Sequence, residues 1–192
     1  MIAIIKYNAG NISSVQNALT RLGYRSIITD DVSQILNADK VILPGVGEAS
    51  SAMKSLKQKN LDKAIVSVKK PLLGICLGLQ LMCDFTQEGN VKCLGIFDSQ
   101  VKKFPPDDIV PHMGWNNFSS VKGDLFKNIN TDADVYYVHS YYAETGKNTT
   151  AICNYIVPFS AAMQKDNFYA TQFHPEKSAD IGEQILKNFL AL

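Results

Sequence analysis

The chain is poor in the residue types that mark metal-binding and disulfide-rich proteins. Its 192 residues include one tryptophan, three histidines and four cysteines. The cysteines form no C-x-x-C pair, and the histidines, at positions 112, 139 and 174, lack the spacing of zinc ligands. We therefore expect no metal or other cofactor. We interpret Cys83, Cys93 and Cys153 as small apolar residues of the protein interior.

Long charged or apolar runs are also missing. The formal net charge is +1 without a basic block, so nucleic acid is not an expected partner. No apolar run approaches the roughly 20 residues that a membrane span needs. Residues 1–7 lack a charged segment followed by a small-residue cleavage site, which argues against a signal peptide. The expectation is a cytoplasmic protein.

The composition is that of a folded globular chain, with 46% hydrophobic and 19% charged residues. We expect a single domain over residues 1–192, because no repeat or linker divides the sequence. The first half alternates predicted strands (2–6, 26–29, 41–43, 72–75) with helices, the first of which should start at a capping box of Ser13 and Gln16. The second half is richer in strands (95–104, 116–121, 135–142, 149–156 and a hairpin, 160–164 with 168–173). This pattern predicts an α/β fold.

The most informative segment is Gly-Ile-Cys-Leu-Gly at 74–78, between a predicted strand and a predicted helix. A nucleophile between small residues at such a turn is typical of a nucleophile elbow, and a helix start there favours a thiolate. Far downstream, Gln-Phe-His-Pro-Glu at 172–176 supplies an imidazole and a carboxylate. We predict a thiol acyl-transfer site with Cys76 as nucleophile, His174 as acid and base, and Glu176 as the group that orients the imidazole.

These motifs resemble those of the class I glutamine amidotransferases, and the resemblance extends along the whole chain. Pro-Gly-Val-Gly at 44–47, Pro-His-Met-Gly-Trp-Asn at 111–116 and Val-His-Ser-Tyr at 138–141 are similar to a narrower group, the glutaminase subunits of imidazole glycerol phosphate synthases. The resemblance implies a flavodoxin-like fold with a mostly parallel central sheet, flanking helices and an added antiparallel portion. It also implies hydrolysis of glutamine to glutamate and ammonia through a thioester.

The oxyanion of such a reaction needs N–H donors. The Leu77 amide at the elbow is one candidate, and the resemblance implies that the second is the amide of Val46 or Gly47. Because glycines flank Val46, a peptide rotation costs little there. We predict that residues 44–47 switch between an inactive and an active orientation.

The remaining assignments come from the resemblance alone. It implies that Glu88 faces the α-amino group of glutamine and that backbone groups hold its carboxylate. The glutamine-binding set would be Gln80, Glu88, Ser140 and Tyr141. A (β/α)₈ cyclase subunit would receive the ammonia in a heterodimer serving histidine biosynthesis. The implied contacts with this cyclase are Asn11, His112, Trp115, Tyr136 and Lys177. Lys-Tyr-Asn at 6–8 departs from the more usual Asp-Tyr-Gly.

Other interpretations stay open at this point. Gly45 and Gly47 also begin a dinucleotide-binding pattern, but Ser50 stands where its third glycine belongs. The chain could be a glutaminase that serves another synthase, a non-catalytic module that activates a partner, or a thiol peptidase on a related fold. Three tests distinguish these alternatives. Ammonia transfer to a given synthase identifies the partner, replacement of Cys76 tests for a non-catalytic module, and peptide cleavage tests for a peptidase.

Overall fold

A mixed eight-stranded sheet forms the centre of the fold in a computed structural model, which describes residues 1–8 and 10–192. The strands are β1 (Ile2–Ile5), β2 (Ser26–Thr29), β3 (Lys40–Leu43), β4 (Leu72–Ile75), β5 (Phe85–Thr86), β6 (Val91–Lys92), β7 (Gln100–Lys103), β8 (His112–Asn116), β9 (Ser120–Val121), β10 (Val135–His139), β11 (Tyr141–Ala143), β12 (Thr149–Tyr155), β13 (Val157–Lys165) and β14 (Phe168–Thr171). The helices are α1 (Ile12–Arg21), α2 (Val32–Asn37), α3 (Ala49–Gln58), α4 (Leu61–Ser67), α5 (Leu77–Met82) and α6 (Ala179–Leu190), with short 3₁₀ helices at Asp124–Phe126 and Pro175–Lys177.

The central sheet has the strand order β2-β1-β3-β4-β14-β13-β12-β9. Its first five strands are parallel, and the pairings of β13, β12 and β9 are antiparallel. The predicted α/β class, with a mostly parallel sheet and an antiparallel addition, is thus confirmed. Two smaller antiparallel or mixed sheets, β10-β8 and β11-β7-β5-β6, lie beyond it.

Alternate residues of β1 enter two different cores. Ala3 and Ile5 belong to the cluster that includes buried residues of α2, α3, α4 and α5. Ile2 and Ile4 belong to the cluster with α1 and α6. Strands covered by helices on both faces are apolar throughout, and all four residues of β1 are buried.

The parallel order also determines which loops meet. β4 lies between β3 and β14, and Ile75 pairs with Thr171 at the carboxyl ends of β4 and β14. Residues that follow these strands therefore emerge at one edge of the sheet, where open α/β folds bind their ligands. This arrangement brings Cys76 and His174 to the same edge.

Several local predictions were wrong. Helix α1 begins at Ile12, and its N-cap is Asn11 in the left-handed region (φ 67°), so Ser13 does not cap it. The strand expected over 95–104 is limited to Gln100–Lys103, because the amides of residues 95–97 donate to the carbonyls of Cys83 and Met82. The strand expected over 116–121 is two strands, β8 and β9, which belong to different sheets. The strand expected over 135–142 breaks at Ser140 into β10 and β11.

The second glycine of the elbow has a packing role that can be tested. A Cβ at Gly78 would lie 2.1 Å from the carbonyl oxygen of Leu43, whereas one at Gly146 would meet nothing within 4 Å. Because the obstacle is backbone, we expect Gly78→Ala to lower the free energy of unfolding by about 2–3 kcal/mol. Thermal denaturation should show a clear loss for Gly78→Ala and none for the control Gly146→Ala. Equal melting temperatures would contradict this packing.

Candidate active site

The candidate nucleophile lies on a strained turn. Cys76 follows β4 with φ 53° and ψ −106°, values that a residue with a side chain rarely adopts, and its N–H donates to the carbonyl of Thr171 at 2.8 Å. The surrounding structure maintains this conformation, as a nucleophile elbow requires. The cysteine is only 6% exposed, so the thiol reaches solvent through a cavity rather than on an open surface.

His174 and Glu176 form a buried pair beside this turn. His174 Nδ1 lies 2.8 Å from Glu176 Oε1, and both side chains are 1% exposed. Burial opposes the imidazole charge, but the neighbouring Cys76 and Glu176 more than offset it and raise the pKa of His174 to about 10. The charged imidazole is therefore the favoured form at neutral pH. His174 Nε2 is buried and makes no hydrogen bond within the described residues, which leaves it free for a reacting group.

Asn11 also contacts the carboxylate of this pair. Its Nδ2 donates to Glu176 Oε1 at 2.8 Å, the same oxygen that faces His174. The amide thus points into the site, although the resemblance implied a contact with a partner. Sequence reasoning missed this role because Gly10-Asn11 indicates only a turn, and its distance from Glu176 along the chain hides the contact.

The predicted oxyanion and glutamine-binding residues surround a cavity of about 440 Å³. The thiol of Cys76 borders the same cavity, together with Pro111, Val138 and His139. The predicted residues that line it are Val46, Gly47, Leu77, Gln80, Glu88, Ser140 and Tyr141. The break between β10 and β11 lies at Ser140, and residues 140 and 141 both line this cavity.

Two of these residues have their polar groups arranged in specific ways. Glu88 is half-buried and its Oε2 accepts the Ala49 N–H at 2.9 Å; burial raises the pKa of its carboxyl group. Gln80 uses both amide hydrogens inside the protein, donating to the Tyr141 carbonyl at 2.9 Å and to Gln172 Oε1 at 3.1 Å. Its own Oε1 is the side-chain atom left to accept a hydrogen bond.

One candidate oxyanion donor, the Leu77 amide, is engaged by the 44–47 segment in this structure. The Leu77 N–H donates to the Gly45 carbonyl at 3.3 Å, and the Val46 carbonyl accepts the Gly10 N–H at 3.3 Å. An oxyanion at Cys76 would compete with the first of these bonds. The segment must therefore move before the Leu77 amide can serve, as a switch between two orientations would require.

The implied partner contacts separate into two environments. Trp115, Tyr136 and Lys177 form a surface group that we call the aromatic–lysine patch. Trp115 is 55% exposed and packs edge-on against Tyr136, whose ring lies 5.8 Å from the Lys177 ammonium. His112 instead is 4% exposed and stacks on Tyr155 at 4.0 Å between ring centroids. Its side chain is therefore unavailable to a partner in this structure.

In its buried position, His112 forms a hydrogen-bonded pair with His139. Its Nδ1 lies 3.0 Å from His139 Nε2, and His139 Nδ1 lies 2.8 Å from the Tyr141 carbonyl. Burial lowers the pKa of His112 to about 4 and that of His139 to about 3. Both rings are neutral at physiological pH, and His139 is the one of the two that lines the cavity.

Two other kinds of feature are missing from the described part of the chain. Within residues 1–8 and 10–192, no cluster of three or more His, Cys, Asp or Glu side chains could hold a metal ion. Over the same residues, no helix has both the length and the apolar character for crossing a membrane.

Comparison with known proteins identifies the family of this chain. The model of the family described as "Glutamine amidotransferase class-I" matches residues 3–192. The imidazole glycerol phosphate synthase subunit HisH of Bacteroides fragilis is 58% identical, with 100% of this chain and 99% of that protein covered. The subunit of the same name from Vibrio parahaemolyticus is 46% identical over 100% of this chain and 98% of that protein.

Solved structures show the same fold at low sequence identity. A putative GMP synthase subunit from Thermoplasma acidophilum has a TM-score of 0.76 at 21% identity and covers 100% of this chain and 92% of that chain. PurLQS from Thermotoga maritima has a TM-score of 0.73 at 15% identity and covers 99% and 97%. The family match and the identity to these relatives show that this chain belongs to the class I glutamine amidotransferases and, within them, to the group of imidazole glycerol phosphate synthase HisH subunits.

Proposed function

We propose that this chain is the glutaminase subunit of an imidazole glycerol phosphate synthase, with Cys76, His174 and Glu176 as its catalytic triad. The observation that carries the proposal is the meeting of a strained cysteine, a buried histidine and its carboxylate at one edge of the sheet, beside a cavity large enough for an amino acid. Residues 1–192 act as one domain in the cytoplasm and need no cofactor.

The chemistry follows from these groups. The Cys76 thiolate attacks the side-chain amide carbon of glutamine and forms a tetrahedral oxyanion. His174 gives its proton to the leaving nitrogen, the C–N bond breaks, and ammonia departs from a glutamyl thioester. The now neutral imidazole takes a proton from water, whose oxygen attacks the thioester carbon. The C–S bond then breaks and glutamate leaves, and the thiolate and the imidazolium are restored.

The cavity supplies the groups that would hold glutamine. The half-buried carboxylate of Glu88 suits the α-ammonium group. The backbone around Ser140 and Tyr141 suits the α-carboxylate, and Gln80 retains one acceptor oxygen. The amides of Leu77 and of Val46 or Gly47 stabilise the oxyanion once the 44–47 segment has moved.

The partner in this proposal is a (β/α)₈ cyclase subunit that takes the ammonia directly. Internal transfer is needed because water would protonate ammonia and remove its nucleophilic lone pair. The aromatic–lysine patch suits such a docking surface: Lys177 directly follows Glu176, and the Tyr136 carbonyl accepts the His174 N–H at 2.9 Å. The complex would form imidazole glycerol phosphate and an aminoimidazole carboxamide ribonucleotide in histidine biosynthesis.

Activation by the partner has a physical basis in the 44–47 segment. The Leu77 amide is occupied by the Gly45 carbonyl, so the isolated chain should be a poor glutaminase. A partner or its ligand can shift this equilibrium only by binding the two orientations with different affinity.

Reconstitution with a cyclase subunit tests this function. We expect the mixture to form the cyclase product from either glutamine or ammonium salt, and glutamine hydrolysis to rise when the cyclase and its substrate are present. Failure with this cyclase, together with ammonia transfer to a chorismate- or nucleotide-pathway synthase, would replace the proposed partner. Peptide cleavage without glutamine hydrolysis would replace the proposed activity.

The contact between Asn11 and Glu176 gives a further prediction. Asn11→Gly keeps the left-handed backbone accessible and removes only the amide. A hydrogen bond to a charged group is worth about 1.5–3 kcal/mol, so we expect kcat for glutamine to fall about tenfold or more with little change in KM. Asn60→Gly is a matched control, since Asn60 is also a left-handed N-cap without a side-chain cap bond. Equal kcat values for both variants and the unmodified chain would remove Asn11 from the positioning groups.

A further inference from the structure

A second glutamine, Gln172, approaches the candidate nucleophile from the protein interior. It follows β14 directly, is 0% exposed, and its backbone N–H donates to the Ala161 carbonyl at 2.8 Å. Its Nε2 lies 3.6 Å from Cys76 Sγ, a normal distance for an N–H to sulfur hydrogen bond. The end of β14 and the hydrogen bond to β13 therefore set the position of this residue.

The direction of the Gln172 amide is fixed by a chain of hydrogen bonds. The Tyr141 carbonyl can only accept, so it requires the NH₂ group of Gln80 to face it. The same NH₂ group donates to Gln172, which must present its oxygen to Gln80. The NH₂ group of Gln172 is then left to face the sulfur. If the Gln172 amide were reversed, its NH₂ group would face the NH₂ group of Gln80, and its oxygen would face the Cys76 thiolate.

The other neighbours of the sulfur make this donor important. The Val138 carbonyl lies 3.9 Å from Cys76 Sγ and can accept a hydrogen bond from the thiol, but its oxygen cannot stabilise a thiolate. Gln172 is a neutral donor that stabilises the charged sulfur in any protonation state of His174. Hydrogen bonds with one charged partner are about twice as strong as neutral ones.

We propose that Gln172 is a positioning residue that donates a hydrogen bond to the Cys76 thiolate and fixes the sulfur for attack. That Gln172 prepares the sulfur for acyl transfer rests on the proposed function. The hydrogen bond itself does not, because it concerns the sulfur before any substrate binds. Gln80 acts in the same chain by setting the orientation of Gln172, in addition to facing the cavity.

The pH dependence of Cys76 alkylation tests the proposal without glutamine or a partner. Iodoacetamide reacts with the thiolate, and mass spectrometry of digested protein isolates the Cys76 signal from those of Cys83, Cys93 and Cys153. We expect Gln172→Met to raise the pH midpoint of alkylation by about one unit, which is a tenfold lower rate below the midpoint. Gln172→Glu should raise it further, because a carboxylate would face the sulfur. The control Gln184→Met should leave it unchanged, since the Gln184 side chain donates to Asn188 on α6, in another element from Cys76.

Two further variants test the same hydrogen bond if Gln172→Met does not fold. Gln172→Asn is too short to reach the sulfur and should reproduce the shift if Gln172→Met does not fold. Gln80→Met should give a smaller upward shift, because it leaves Gln172 in place but removes the donor that orients it. In the complex, Gln172→Met should lower kcat for glutamine with little change in KM.

An unchanged alkylation midpoint in a folded Gln172 variant would overturn the proposal. Failure of the proposed function would look different: the unmodified chain in complex with the cyclase and its substrate would not hydrolyse glutamine, while the alkylation series would still separate the Gln172 variants from the Gln184 control.

Discussion

Cys76→Ser is expected to lower glutamine-dependent product formation by the reconstituted complex about 10⁴-fold or more, and to leave ammonium-dependent formation within about twofold. The substitution exchanges one atom, so the strained turn and the cavity should persist. A serine hydroxyl remains protonated at neutral pH and attacks the amide carbon poorly. Ammonium salt supplies the cyclase without this reaction, so its use should not depend on the sulfur.

Parallel assays with glutamine and with ammonium salt measure this separation. Cys93→Ser is a suitable control, because Cys93 is a buried cysteine (8% exposed) in another part of the fold. Equal loss of both activities in Cys76→Ser would indicate a structural or interface defect instead of a lost nucleophile. Normal glutamine use would favour a non-catalytic module.

His174→Ala is expected to have the second largest effect, a loss of about 10³–10⁴-fold in glutamine turnover. The variant removes the proton donor for the leaving ammonia and the base that activates water. It also removes the cation beside the sulfur. Ammonium-dependent turnover should again be spared, since this histidine acts only on the glutamyl group.

The pH dependence of this histidine has a defined sign. Its pKa is raised to about 10, so the imidazolium is present below that pH and lost above it. The alkaline limb of the activity profile should therefore lie near pH 10, where the imidazolium loses its proton. In His174→Ala, Cys76 alkylation should shift to higher pH, toward an ordinary thiol. An unchanged alkylation profile would show that the two side chains do not interact.

Much of the catalytic arrangement could be predicted from sequence because its signals are local. The glycines around Cys76 and the preceding apolar run indicate a strand-to-helix elbow, and alternating strands and helices predict a parallel sheet. In such a sheet, the carboxyl ends of neighbouring strands share an edge. That His174 follows a strand next to β4 required the fold family, since the sequence alone does not order β4 beside β14.

The missed features depend on contacts between distant segments. In the sequence, residues 135–142 look like one continuous strand. The break at Ser140 arises because the two strands it separates pair with different partners, β8 and β7. Asn11 bonds with Glu176, and Gln172 bonds with Gln80, only after the sheet edge has formed. His112 belongs to a sequence motif that the resemblance assigns to the partner contact. On β8, however, neighbouring residues face opposite sides of the strand, so His112 is buried while Met113 is exposed. No local pattern distinguishes these side chains from ordinary polar residues.

The central claim, that the Cys76 sulfur carries the glutamyl group during turnover, is tested most directly by mass spectrometry of the complex quenched in acid during steady-state turnover on glutamine. The account predicts a glutamyl adduct on the peptide that contains Cys76, absent without glutamine and absent in Cys76→Ser. Continued formation of glutamate at the normal rate with no adduct at Cys76, or with an adduct on another residue, would contradict it.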